Sequence, residues 1–318
     1  MTLAQRDRVS NKIGEKELLS LVRDTQKKLE NFGAFELIPK VFNSNIRKTK
    51  HFREWYSTPM NYARIIELPL TFNLLKAHKN HHILDISSPK LISLYMMAKG
   101  FDNLTISDME DYFKEDFKVF GKNFSTVPNI EIFDARNIPH EAESFDRVFS
   151  ISVLEHIPGE GDIEVAKEAA RILKPEGIFV ITLPACSTYL EEWVNNPSIY
   201  WQTEQNKEGL SFYQRRYDKS SIENRFGDLG LQIDDVIYVA ENPIKEPQLN
   251  DYGMFLHNVH YLNELPLAKI YRKLYEVFRV PLLPYLSYRI LSQRYHYLTR
   301  NSQDNNIRQV AIKFRKMK

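Results

Sequence analysis

Three aspartates recur at intervals that suit recognition of a nucleoside. Asp85 lies in the apolar run HILDIS, Asp108 ends NLTISD 23 residues later, and Asp134 stands in IEIFDA. A carboxylate about 20 residues beyond a first strand–turn–helix unit can accept both hydroxyls of a ribose, because a vicinal diol offers two donors to one bidentate acceptor. A fourth apolar run, FDRVFSISVLEH, carries Ser150 and Ile151 and ends at His156. Imidazole exchanges a proton near neutrality, so His156 is the candidate general base. Each residue also has a plainer reading. A single aspartate at a strand end is more often a helix cap or a turn residue, and His156 can simply orient Glu155 or cap the next loop. Three acids at three successive strand ends together favour a nucleoside-like ligand.

These residues need a sheet to hold them. HILDIS, NLTISD, IEIFDA, the run from Phe145 and GIFVITLP read as five short strands. PKLISLYMMAKG, closed by Gly100, and GDIEVAKEAARILKPEG, with Asp162 as a cap and Lys174-Pro175 as a stop, read as helices between them. KSSIENRFGDLG reads as a further helix and LQIDDVIYVAE as a strand. RQVAIKFRK alternates Val310, Ile312 and Phe314 against Gln309, Ala311, Lys313 and Arg315, which predicts a half-buried last strand. Strands alternating with helices imply a doubly wound, mainly parallel α/β sheet. In such sheets ligands bind beyond the carboxyl ends of the strands. Ahead of them, residues 15–32 read as a helix with Gly33 as its stop. YSTPMNYARIIELPLTFNLLKAH reads as another helical layer, broken at Pro59 and Pro69.

Composition bounds the rest. The 318 residues are 43% hydrophobic and 26% charged with a net charge of +2, so no global field points to nucleic acid. The one cysteine, Cys186, excludes an intramolecular disulfide framework and a cysteine metal cage. His81-His82 and His257…His260 lack a third ligand, and no metal is expected. No apolar run reaches the ~18 residues of a spanning helix, and the start of the sequence has no signal-peptide core. The expectation is a cytoplasmic protein.

The run FDRVFSISVLEHIP followed by EVAKEAARILKPEGIFVITLP resembles the class I S-adenosylmethionine-dependent methyltransferases. The likeness is strongest at Leu154-Glu155-His156 after the fourth strand and at Leu173-Lys174-Pro175-Glu176-Gly177 before the fifth. It extends over about residues 60–242 and the last strand. The resemblance implies a seven-stranded Rossmann-like sheet with the last strand antiparallel, and S-adenosylmethionine as cofactor. It implies Asp85, with Ser150 and Ile151, near the methionyl part, and Ser87 and Ser88 packed against it. Asp108, with Met109 beside it, would take the ribose hydroxyls. Asp134 and the Ala135 N–H would take the adenine. Tyr62 and Arg64 would close the site, Arg64 on the cofactor carboxylate. The sequence departs from the family at the first turn, where glycines are the rule and Ser87, Pro89 and Leu91 stand instead. Glycine permits a positive φ and a close backbone approach; proline fixes φ and removes an N–H. The cofactor has no pyrophosphate to cradle, so two serines can satisfy the demand for a small turn.

The implied division is a helical cap over 1–79, a core over 80–242, a helical insertion over 243–304 and a final core strand over 305–318. Within the insertion, residues 268–300 hold seven Lys/Arg against one acid, together with seven Tyr/Phe. Such a stretch can rest on an anionic membrane face, wall a lipid-like acceptor, or form an ordinary subdomain with a solvated basic face. The expected acceptor is a small molecule, a sugar or a lipid-linked precursor, not nucleic acid. The alternative is a catalytically silent binding or scaffold protein with a degenerate cofactor turn.

Overall fold

The computed structural model describes residues 13–37, 60, 62–122, 128–195, 204–242, 289 and 292–318. Helix α1 spans Glu15–Asn31 and runs on as a π-helical turn, Phe32–Leu37, so Gly33 does not stop it. Helix α2, Arg64–Leu75, passes through Pro69 without breaking. The missing N–H costs one hydrogen bond. The Pro69 carbonyl is retained within the layer, accepting from Asn73 Nδ2 at 2.7 Å, and the same amide reaches Thr25 on α1 at 2.9 Å.

Strands and helices then alternate: β1 Ile83–Ile86, α3 Leu91–Ala98, β2 Leu104–Asp108, α4 Tyr112–Gly121, β3 Asn129–Ile132, β4 Phe145–Ile151, α5 Gly161–Ile172 and β5 Leu173–Pro184. A hairpin of β6, Leu190–Val194, and β7, Ser211–Arg216, stands apart from the main sheet. Helix α6, Lys219–Phe226, starts on a capping box between Asp218 and Ser221. Strands β8 Leu231–Glu241, β9 His296–Thr299 and β10 Ile307–Lys316 complete the chain.

The sheet order is β3-β2-β1-β4-β5-β10-β8-β9. Strands β1 to β5 pair parallel, and β10 runs antiparallel between β5 and β8. Strand order reverses between β1 and β4, which sets a ligand crevice at their carboxyl ends. The described sheet has eight strands where seven were expected. The extra one, β9, lies inside the stretch expected to be a helical insertion and pairs antiparallel with β8. Tyr295, Leu298 and Thr299 are buried there, so apolar burial on the sheet edge prevails over a helical reading. Residues 243–288, 290 and 291, which include most of the basic aromatic stretch, lie outside the described residues.

Alternation along each strand divides the core between two faces. Ile83, Ile106, Phe149 and Val180 pack under α1, α2, α3 and α4. Leu84, Val148, Phe179, Ile181 and Phe314 pack with α5 and α6. Strand β10 is therefore covered on both faces and not half-buried. Its polar positions are absorbed by partners: Lys313 meets Asp234 at 2.8 Å, and Gln309 reaches Glu67 on α2. Asp162 is likewise no helix cap. It is buried within α5, takes the Arg225 guanidinium at 2.7 and 2.6 Å, and accepts from the Tyr217 hydroxyl at 2.8 Å.

Candidate cofactor and acceptor site

The turn after β1 keeps the conformation that glycine would give it. Ser87 has φ +52°, and Ser152, just past β4, has φ +48°. Both serines stand at the carboxyl ends of the central strands in the left-handed region that costs an L-residue about 1 kcal/mol. A chain with only 11 glycines thus holds these two turns with serine. Ser87 N–H donates to the Ser107 carbonyl at 3.0 Å, which pins the turn to β2.

Asp85 points into the protein. It is fully buried, accepts from Ser88 N–H at 3.0 Å and is bonded by the Ser93 hydroxyl of α3. Burial raises its pKa, against the nearby Lys90 charge and these bonds. Its contacts make it a holder of the turn. The Ser88 hydroxyl, in the turn expected to pack against the cofactor, accepts from Ile151 N–H at 3.1 Å. Ser150 donates to the Ile86 carbonyl at 2.9 Å. These two bonds lock the end of β1 and its turn to β4.

Asp108 and Asp134 stand closer to solvent. Asp108 Oδ1 accepts from Met109 N–H at 2.9 Å, and Oδ2 meets Lys90 Nζ at 3.1 Å. Asp134 is gripped by its neighbour Arg136 through Nε at 3.1 and 3.0 Å and Nη2 at 2.6 Å. Those bonds hold its carboxyl below the usual range. Around the pair lie two large exposed apolar side chains, Met109 at 48% and Ile132 at 39%, while Ala135 is buried. Ile132 is the register partner of Asp108.

A second polar cluster sits where α2 crosses the carboxyl ends of β4 and β5 and the amino end of the antiparallel β10. Its centre is the buried Glu67. One oxygen accepts from the Ser152 hydroxyl at 2.6 Å, the Thr182 hydroxyl at 2.5 Å and the Gln309 amide; the other meets Arg64. Next to it is the turn Leu154–His156. Burial, with the nearby Glu67 charge, pushes Glu155 up to about 8, so its carboxyl is mostly protonated at neutral pH. Glu155 Oε2 is buried with no hydrogen-bond partner. Burial pushes His156 down to about 4. His156 Nδ1 lies 2.8 Å from the Tyr213 carbonyl, so that nitrogen carries the proton, and Nε2 lies 3.7 Å from Glu155 Oε1. A neutral ring of such low basicity is a poor general base near pH 7.

Tyr62 falls elsewhere. It is buried and stacked on His296 with ring centroids 4.3 Å apart, and burial beside Glu241 raises its pKa. Glu241 and His296 belong to β8 and β9, several strands from β1 and β4, so Tyr62 does not close the crevice. Tyr217 and Arg216 are buried packing residues. A cavity of about 280 Å³ opens at the other edge of the sheet, beside His82, Asn103, Asn129 and His140, at the amino ends of the strands and away from all these acids. Among the described residues no group of three or more His, Cys, Asp or Glu side chains could hold a metal ion. No described helix is long and apolar enough to cross a membrane.

Glu67, Thr182, Gln309 and Lys90 carry no local motif that marks them as site residues. Glu67 carries one signal, an acid in an otherwise apolar helical run, but its partners lie up to 242 positions away.

Comparison with known proteins agrees with this arrangement. Residues 84–181 match the model of a methyltransferase domain. None of the curated proteins matches the chain. Solved structures similar to it include a SAM-dependent methyltransferase from Methanosarcina mazei, at 15% identity over 78% of this chain and 97% of that one, TM-score 0.40. They also include coclaurine N-methyltransferase bound to N-methylheliamine and SAH, at 14% identity over 99% and 92%, TM-score 0.47. A third is the [4+2]-cyclase SpnF, at 12% identity over 92% and 96%, TM-score 0.43.

The matched domain runs from β1 into β5, across the point where strand order reverses. Residues 84–181 form a methyltransferase domain, and the residues at the crevice suit S-adenosylmethionine. The left-handed Ser87 keeps the turn small. The carboxylate oxygens of Asp108 and Asp134 can each accept more than one hydrogen bond. Met109 and Ile132 expose apolar surface of the kind a flat purine covers.

Proposed function

We propose that the protein is an S-adenosylmethionine-dependent methyltransferase whose small-molecule acceptor enters over the carboxyl ends of β4 and β5, beside the amino end of β10. The observation that carries this reading is the cluster of Arg64, Glu67, Ser152, Thr182 and Gln309, which places polar and charged groups beside the cofactor crevice. On the cofactor side, Asp108 is to accept the ribose hydroxyls, and Asp134 with the Ala135 N–H the adenine, over Met109 and Ile132. Arg64 is to hold the cofactor carboxylate. Asp85, Ser88, Ser150 and Ile151 act indirectly, by fixing the turn at the methionyl end.

When bound, S-adenosylmethionine supplies a methyl group already activated by its sulfonium charge. The chain then has to align the acceptor and exclude water. The Tyr213 carbonyl orients His156, and the buried, mostly protonated carboxyl of Glu155 adds no full charge to that wall of the site. A basic catalyst is needed only where the acceptor loses a proton, and His156 is too weakly basic to be the main one. The sugar and lipid-linked acceptors, and contact with a membrane face, rest on residues 268–300 and their excess of basic and aromatic side chains.

The test is calorimetry with S-adenosylhomocysteine, followed by transfer of labelled methyl to pooled hydroxyl- and amine-bearing acceptors. Micromolar binding, weakened at least tenfold in Asp108→Ala, supports the assignment. Absence of heat at millimolar ligand overturns it in favour of a silent binding protein, the reading that the Lys90–Asp108 and Arg136–Asp134 pairs favour.

A further inference from the structure

The residue that most distinguishes this crevice is Lys90. It occupies the N-cap position of α3, where its carbonyl accepts the Leu94 N–H at 2.9 Å. A cation is unfavourable at a helix N-terminus, because the helix dipole already concentrates positive potential there. Something must compensate, and the geometry supplies it. The side chain turns back across the strand ends with only 9% of it exposed, places Nζ 3.1 Å from Asp108 Oδ2, whose side chain is 17% exposed, and lies 4.7 Å from the centre of the Phe113 ring. Asp85 is a second acid within its field.

Asp108 consequently has both oxygens engaged from within the chain, Oδ1 by Met109 N–H and Oδ2 by Lys90. A ribose diol requires the same two oxygens. We propose that Lys90 is an internal competitor for the cofactor's ribose: its ammonium satisfies Asp108 in the free protein and must leave that carboxylate for the diol to bind. This inference rests on the assignment of Asp108 to the ribose. It makes Lys90 a determinant of cofactor affinity that touches the site from the turn where glycines are absent. The freed ammonium swings outward, because the dipole and the buried surroundings of α3 disfavour an unpaired cation inside.

Lys90→Met keeps the apolar stem on Phe113 and removes the charge. It is expected to bind S-adenosylhomocysteine about tenfold more tightly than the wild type, the scale of one partly exposed charge-assisted bond. In the wild-type protein, labelling of the Lys90 amine by an acylating reagent, read by peptide mass spectrometry, should rise several-fold when the ligand saturates the site. This second measurement needs no variant to fold. Equal or weaker binding by Lys90→Met, or protection of Lys90 by the ligand, would overturn the competitor role and leave the ribose assignment standing. Loss of heat in both wild type and Lys90→Met, with no change in labelling, would instead remove the ribose assignment and the inference with it.

Discussion

Glu155 and His156 are neighbours whose buried positions shift their protonation in opposite senses. Glu155 is raised from 4.5 to about 8, so the folded state holds more protons than the unfolded state between those values, and stability falls as pH rises across them. His156 is lowered from 6.5 to about 4, so stability rises with pH over that interval. The two slopes oppose one another between about pH 4.5 and 6.5. From about pH 6.5 to 8 only the Glu155 slope remains, at about 1.4 kcal/mol per pH unit. Chemical denaturation of wild type and Glu155→Gln at pH 6, 7 and 8 should show a decline in the wild type that the variant lacks. At Ser87 the prediction is conformational. Ser87→Gly should be neutral or stabilising by up to about 1 kcal/mol, and Ser87→Val should cost about 2 kcal/mol, since a β-branched side chain resists a left-handed φ; thermal melts decide. The sequence made Asp108 and Asp134 legible, because strand ends can be read from apolar runs and acids at those ends stand out. It did not show that each already has a cation on it. Lys90 and Arg136 reach those carboxylates by side-chain paths that no spacing rule describes.

Helix α2 is more than a cover for the sheet. Through Glu67 it is fastened to β4, β5 and β10 at once, by Ser152, Thr182 and Gln309. Removing a buried carboxylate with several charged and polar partners leaves those partners unsatisfied, at a cost of roughly 3 to 5 kcal/mol. Glu67→Ala is therefore expected to lower the denaturation midpoint markedly, and Glu67→Gln less so, because an amide oxygen still accepts from the hydroxyls. Urea unfolding of both variants measures the difference. The existence of α2 was legible from its apolar pattern. Its continuity was not, since Pro69 signals a break, and only packing against α1 shows why the helix survives it. The alternation in β10 was also legible, but it suggests one wet face. That face is covered because α2 lies over it and Glu67 and Asp234 take its polar side chains, which the local pattern of nine residues does not encode.

The strand order places β10 between β5 and β8, so it closes the sheet at its middle. A chain ending before Ile307 would leave two bare strand edges and an open core where Val310, Ile312 and Phe314 belong. Such a truncation should be insoluble or aggregate on size exclusion, whereas removal of the two residues after Lys316 should leave solubility and melting temperature unchanged. The same arrangement has a consequence in time. About 120 residues separate the end of β5 from the start of β10, which at ribosomal rates is a delay of roughly 6 to 25 s. Throughout that interval β5 waits with one edge unpaired, an exposure that favours chaperone capture. How much folded protein a cell obtains is then a race between synthesis of the last strand and misassociation of the fifth.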